Sequence, residues 1–354
     1  MQLILVINPG STSTKLAVYD GEKLLQDQTI RHTDSELKRF STINQQIGFR
    51  QKLILEFLRI HHFSLTSFKA IVARGGLLRP IHSGTYLVNQ RMLQDLASGK
   101  YGSHASNLGG LIACALAKPR KLPAYIVDPV VVDELDEIAR ISGTKLIARK
   151  VIFHALNQKA VARRYADSIK RPYTSLNLIV CHLGGGITVG WHHHGKVIDV
   201  NDGLGGDGPF SPERAGGVPA FGLIDLCFEQ KMSKSQIKKA LVGQGGLYSY
   251  LGTSDARKIE DQAHQHNSKA NFYLKAMCYQ VVKEIGALYF IANGQIDQLI
   301  ITGGLAHSKL IIKYLMTYLK GLIKITIYPG EDEMSALMLG AKRILDKTEK
   351  AQRY

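Results

Sequence analysis

The chemistry-bearing residues nearest the start of the chain are Asn8 and the run Ser11, Thr12, Ser13, Thr14, Lys15, which come after an apolar stretch from Leu3 to Ile7. Four consecutive hydroxyls, an ammonium and the backbone N–H groups of a tight turn are donors suited to hold a polyphosphate. The segment is not the Walker phosphate loop. It lacks GxxxxGK[ST], and the residues after Lys15 read as a strand rather than a helix. A solvated Ser/Thr turn would have the same composition, so the chemistry rests on what else the chain places beside it.

A second donor set stands at His182 with Gly184, Gly185 and Gly186. Slid by 174 residues, Ile4 to Glu22 falls on Leu178 to Lys196 without a gap, with Val6 on Val180, Gly10 on Gly184, Thr14 on Thr188 and Gly21 on Gly195. Asn8 then stands opposite His182. Each copy reads as strand, glycine-bearing turn, strand, turn, and the repetition predicts two half-molecules with one phosphate-type turn apiece.

Charged residues recur where strands end. Lys69 to Ala73 runs into Arg74, and Ala124 to Val127 into Asp128, so both are expected at the carboxyl edge of one sheet, where open α/β sheets bind ligands. Asp128 before Pro129 also suits an Asx-type turn. Arg214 is the only basic residue of the glycine-rich segment Asn201 to Gly217, whose backbone packs no core and is free to approach a ligand. Gly303 and Gly304 separate the strand Gln298 to Thr302 from a helix, an arrangement that lets a ribose or purine lie on backbone. Glu331, Asp332 and Glu333 precede the last helix, either as favourable charges at its N-terminus or as oxygen ligands for Mg²⁺. Of His192, His193 and His194, strand alternation lets at most two converge, a weak basis for a metal site.

The elements that must carry these groups are short strands alternating with helices: helices near 51–61, 89–98, 105–117, 155–169, 269–292 and 307–320, and a last strand from Lys324 to Tyr328. A chain of 354 residues, 45% hydrophobic and 21% charged, suits two globular domains. The four cysteines form no CxxC and sit among apolar neighbours, as in a reduced cytoplasmic protein. No run reaches the ~20 apolar residues of a membrane span, and no targeting segment is evident. The formal charge of +16 is spread along the chain without a nucleic-acid motif, so it reads as a field that helps anionic substrates approach.

Taken jointly, INPGSTSTK (7–15), ARGG (73–76), IVDPVVVDE (126–134), IFHALNQKAVARR (152–164), HLGGGITVG (182–190), GLGGDGPFSPERAG (203–216), ITGG (301–304) and YPGEDEM (328–334) resemble the butyrate kinases of the acetokinase family, over nearly the whole chain and in order. The resemblance implies an α/β fold of two duplicated ribonuclease-H-like, actin-like ATPase domains with a nucleotide cleft between them. Residues 1–150 plus 334–354 would form the domain on the carboxylate side, and residues 151–333 the nucleotide domain. It implies reversible ATP-dependent phosphorylation of a short-chain fatty acid, with ATP/ADP and Mg²⁺, in a homodimer or larger homo-oligomer. Arg74, Asp128, His182 and Arg214 match the family's catalytic positions. Asn8, Ser11, Ser13, Lys15, Gly184, Gly185, Gly186, Gly303 and Gly304 match its phosphate and nucleotide positions, and Asp128 and Glu333 its metal-linked acids. The chain reads EDE where acetate kinases read NEE, so the choice among Glu331, Asp332 and Glu333 stays open.

Acetate kinases carry a bulky apolar residue where this chain has Gly76. A glycine there is expected to leave room for extra methylenes, each worth about 0.8 kcal/mol when buried, which favours butyrate or a branched acid over acetate and propionate. A nucleotide-binding, non-catalytic member of the superfamily is the other reading. It would have no need of paired arginines and an aspartate at strand ends.

Overall fold

The computed structural model describes residues 1–265 and 267–354. The chain divides into two compact units, residues 1–133 with 332–354 and residues 134–331.

In the first unit, β1 (Leu3–Pro9), β2 (Ser13–Asp20), β3 (Lys23–Arg31), β4 (Phe68–Arg74), β5 (Thr85–Leu87) and β6 (Ala124–Val127) form a sheet in the order β5-β6-β4-β1-β2-β3, with the short strand Gln352–Arg353 outside β5. The β1 strand is buried along its whole length: it is interior to the sheet, antiparallel to β2 and parallel to β4, and both of its faces are covered. Helices cover both faces. A Cβ on Gly110, in the helix Asn107–Ala117, would lie 3.7 Å from Ile126, and one on Gly340, in the helix Glu333–Leu345, 2.5 Å from Val127. Ile126 and Val127 are neighbours on a strand and point to opposite faces, so the unit has three layers.

In the second unit, β7 (Asn177–Leu183), β8 (Ile187–His193), β9 (Lys196–Val200), β10 (Gln298–Gly303) and β11 (Ile325–Pro329) run in the order β11-β10-β7-β8-β9. Alternate residues of β7 feed two cores: Ile179, Cys181 and Leu183 pack with the long helix Ser268–Ile291, and Leu178 and Val180 with the helix Ala155–Ser168. Orders and directions repeat those of β6-β4-β1-β2-β3, which bears out the duplication.

The repeat is not gapless, however. Asn8 pairs with Lys15 across β1 and β2, whereas His182 pairs with Thr188 across β7 and β8. The bulges between Val18 and Tyr19 and between Trp191 and His192 are likewise displaced by 173 residues, not 174. A one-residue slip would turn every side chain to the wrong face, so the first turn absorbs the extra residue. Thr188 is therefore the counterpart of Lys15, and the apparent Thr14–Thr188 and Gly21–Gly195 matches fall out of register.

The partition differs from the expected boundaries at 150 and 333. Residues 134–150 are fastened to the second unit: Asp136 N–H donates to Ile198 O at 3.0 Å, and the fully buried Lys159 ammonium holds Glu134 at 2.6 Å. Arg149 pairs with Asp199 at 3.1 Å and Asp207 at 3.2 Å. The chain returns to the first unit between Glu331 and Asp332. No helix among the described residues is long and apolar enough to cross a membrane.

Candidate active site

In the first unit the parallel register sets Arg74 opposite Val127, so Arg74 and the next residue of the neighbouring chain segment, Asp128, leave the sheet at one edge. Asp128 takes the left-handed conformation (φ 37°), which Asp tolerates better than most residues. Its Oδ1 accepts from Ser83 Oγ and Gly84 N–H, both at 2.7 Å, and it is buried. Arg74 is half-buried, and its guanidinium holds Glu333 Oε1 at 2.7 Å. Asn8, buried at the end of β1, donates from Nδ2 to the other Glu333 oxygen at 2.6 Å. One carboxylate is thus shared by an arginine and an amide.

The three acids of the EDE segment go separate ways. Glu333 meets Asn8 and Arg74, Asp332 accepts from Ser335 N–H at 3.0 Å as a helix cap, and Glu331 lies in the second unit beside His182.

Ser11 and Thr12 are exposed on the turn between β1 and β2, Ser13 is half-buried at the start of β2, and Lys15 is exposed on that strand opposite Asn8. Beneath them lies a residue that sequence reasoning missed. Arg50, on the helix Gln46–Ile60, has no solvent exposure; it donates to Ser13 O and Thr14 Oγ1 at 2.9 Å and to Ser11 O at 3.4 Å. Burial alone pulls its pKa down to about 10, which leaves it charged at neutral pH. The only advance signal was an arginine on a helix facing a hydroxyl-rich turn.

The expectation about Gly76 fails. A Cβ there would lie 2.5 Å from Asn107 Cα and 2.8 Å from its backbone nitrogen, so the first turn of the helix Asn107–Ala117 fills the space. Gly109 plays the same part: its Cβ would stand 2.2 Å from Arg74 O. These glycines bring a helix N-terminus down onto the Arg74 loop and open no pocket for methylenes. His104, just before that helix, has its pKa lowered by burial and then by the Arg74 charge.

In the second unit His182 is buried on β7, with Nδ1 2.9 Å from Asn157 Oδ1. An amide oxygen there places the proton on Nδ1. Nε2 faces Glu331 Oε1 at 3.1 Å without hydrogen-bond alignment. The ring stacks on His154 at 3.8 Å, whose Nδ1 is 2.9 Å from Thr188 Oγ1. Asn157 and His154 lie in the segment 152–164 that carried the resemblance, but their part as a clamp on His182 was not foreseen.

The glycine turn is shaped around side chains that arrive from elsewhere. A Cβ on Gly184 would lie 2.9 Å from His182 Nε2, and one on Gly186 would lie 1.9 Å from Arg214 Nη1. Ser211 Oγ donates to Gly185 O at 2.6 Å, fixing the turn to the loop that bears Arg214. Arg214 donates to Gly203 O at 2.7 Å, while its buried Nε has no partner among the described residues, and burial lowers its pKa. Gly303 has φ 92°, and a Cβ would strike Leu183 O at 2.3 Å; Gly304, beside it, has nothing within 4 Å of where a Cβ would be.

His192, His193 and His194 do not converge on a metal. His192 is fully buried between Gln158 and Tyr173, His193 lies near Asn177 and His194 near Thr174 O. Burial holds His192 well below its ordinary pKa. Among the described residues no three His, Cys, Asp or Glu side chains are grouped to hold a metal ion. Mg²⁺ takes one or two carboxylates and completes its shell with water and phosphate oxygens. Of the acids expected for it, Asp128 accepts from Ser83 and Gly84, and both Glu333 oxygens are engaged by Arg74 and Asn8. The orphaned Arg214 Nε and the open backbone at Gly304 fit a phosphate and a nucleoside.

The model of the Acetokinase family matches residues 135–343. Two curated relatives, both called probable butyrate kinase, come from Clostridium botulinum strains Alaska E43 (type E3) and Eklund 17B (type B). They are 49% and 48% identical over 351 residues, 99% of each chain. Among solved structures, an acetate kinase from Porphyromonas gingivalis superposes with a TM-score of 0.81 at 18% identity, covering 98% of this chain and 100% of that one. A propionate kinase from Francisella tularensis gives 0.78 at 19%, covering 96% and 99%.

Proposed function

This chain belongs to the acetokinase family, and we propose that it transfers the terminal phosphoryl group of ATP, reversibly, to the carboxylate of butyrate or a branched acid of similar length. The observation that carries this reading is the grip of Arg74 on a carboxylate. Its guanidinium already pairs with Glu333 at 2.7 Å while Asn8 takes the second oxygen, which is the recognition a carboxylic acid substrate requires.

The acceptor is ionised at neutral pH, so no general base is needed. The barrier lies in bringing one anion to another. In this reading Arg74 orients the acid, and Asp128, pinned by Ser83 and Gly84, is a fixed charge rather than a proton acceptor. Arg214 and His182 neutralise the transferred phosphoryl, the Ser11–Lys15 and Gly184–Gly186 turns hold phosphate oxygens, and Gly303 and Gly304 lie under the nucleoside. Mg²⁺ entering with the nucleotide would offset phosphate charge; Asp128, and Glu333 once the acid takes its place on Arg74, would hold it.

With Gly76 packed against Asn107, the preference for a four-carbon acid rests on the relatives' names rather than on a pocket. Phe221, Ile224 and Phe228, exposed along the helix Ala220–Phe228, support self-association as part of the same reading, in a cytoplasmic enzyme. Hydroxylamine trapping of acyl phosphate with acids of two to five carbons tests it. Butyrate or a branched acid should give the highest kcat/KM; a clear preference for acetate would overturn the substrate assignment, and no acyl phosphate with any acid would overturn the activity.

A further inference from the structure

Three consecutive carbonyls of the first turn are drawn to the protein side. Arg50 takes Ser11 O and Ser13 O, at 3.4 and 2.9 Å, and His32 N–H takes Thr12 O at 2.9 Å. Carbonyl oxygens are the turn atoms that would repel an anion. The rest of the Arg50 fork goes to Thr14 Oγ1 and, from Nε and Nη2, to Gln46 Oε1 at 3.2 and 2.9 Å. Every acceptor is neutral, and no carboxylate pairs with Arg50 among the described residues. The titratable neighbour is His32, 2.9 Å from Thr14 Oγ1, and burial with the Arg50 charge holds it toward its neutral form.

Burying a guanidinium without a counter-ion costs several kcal/mol. A neutral donor could hold the same carbonyls without that cost. We infer that Arg50 is a positioning residue of the phosphate turn, and that the counter-ion of its buried charge is the phosphoryl anion bound on the exposed side, at Ser11, Thr12, Ser13 and Lys15. The charge acts through the turn it shapes and touches no substrate. This deepens the kinase reading, on which its identification of the anion rests.

Replacing Arg50 itself risks the fold, so the test changes its partner. Gln46→Glu supplies an internal carboxylate where Gln46 already accepts two Arg50 hydrogen bonds; Gln46→Met removes those bonds without adding charge. Affinities for inorganic tripolyphosphate and for ATP are measured by calorimetry beside the thermal midpoint. Gln46→Glu should weaken both ligands about tenfold while the midpoint holds or rises, and Gln46→Met should leave affinity within about twofold. A purely structural arginine predicts the rise in midpoint with affinity unchanged, and that result overturns the inference, as does an equal loss in both variants. If the wild-type protein binds neither ligand, inference and kinase reading fall together. If it binds tripolyphosphate in a Gln46→Glu-sensitive way but not ATP, only the kinase reading falls.

Discussion

The turn after β1 and the turn after β7 occupy equivalent places in duplicated sheets, yet they are built on opposite plans. The first carries its own donors, the hydroxyls of Ser11, Thr12 and Ser13 with Lys15 beside them on β2, and is stiffened from below by Arg50. The second carries almost no side chains, and its glycines clear space for His182 and Arg214. One turn brings the chemistry; the other admits it. Duplication conserved the strand frame and left the tips to diverge, which is why the register survives in the first strand of each copy but slips by one residue in the second.

If the second turn exists to admit Arg214, removing that side chain should have the largest effect. Arg214→Ala is expected to lower kcat by about 10³ or more, the scale of an arginine that neutralises a phosphoryl transition state. ATP affinity by calorimetry should change little. Near-normal turnover would end the comparison, because the glycines would then be clearing space for nothing.

Gly186→Ala is the sharper version. A Cβ there meets Arg214 Nη1 at 1.9 Å and Cζ at 2.5 Å. These are the far atoms of a flexible side chain, so the chain gives way at small cost in stability, but the guanidinium leaves its place. A loss of about 10² in kcat with an unchanged thermal midpoint is expected, since an ångström of misplacement has that cost. Equal losses of stability and activity would mean that the turn itself had collapsed.

The contrast between the turns also marks what the sequence could disclose. Strand-ending residues such as Arg74, Asp128 and His182 were legible because an apolar run that stops at a polar residue marks both the strand and its edge. The glycines were legible as a class but not in purpose: Gly76 looks like an opening and is a packing contact, while Gly186 is the opening. Arg50 and Asn157 stayed hidden because they act from helices remote in sequence, and nothing local says which face of a helix meets which turn. Four helices between Ala220 and His264 also went unread. Ala220–Phe228 is apolar almost throughout, with no polar face to set a period, whereas Lys234–Leu241 does carry a signal in the Ser233 and Gln236 capping box ahead of Ile237 and Leu241.

A smaller effect tests the frame beneath the second turn. Arg149 bridges Asp199, on β9, and Asp207, in the loop that carries Arg214, and Glu284 lies close enough to both aspartates to feel their charge. Burial first, then Asp207 and Asp199, raise the Glu284 pKa to about 7. A carboxyl whose folded pKa exceeds its unfolded value binds more protons when folded, so its ionisation destabilises the fold as pH climbs from about 4.5 through 7. Glu284→Gln should therefore be more stable than wild type at pH 8, by about 1–3 kcal/mol, with the gap narrowing toward pH 5. Thermal midpoints at the two pH values measure it; a gap that does not close at pH 5 would assign the gain to packing rather than charge.

The smallest expected effect falls on the first turn. Gly10 matches Gly184 in the displaced copy, and on sequence alone the two glycines look interchangeable. Their surroundings differ. A Cβ on Gly10 would meet only Ser13, at 3.4 Å from Oγ and 3.6 Å from O, which is ordinary contact, whereas one on Gly184 would press His182 Nε2 at 2.9 Å. The Gly10 N–H donates to Ser13 O at 2.8 Å, a bond alanine keeps. A turn that supplies its own donors has no side chain to admit, so Gly10→Ala should hold kcat and KM within about twofold, and the lower entropy of the unfolded chain should leave stability level or raised by about 0.5 kcal/mol. A loss approaching that of Gly186→Ala would mean that a side chain does approach the first turn when substrate is bound, and the two turns would then work by one plan.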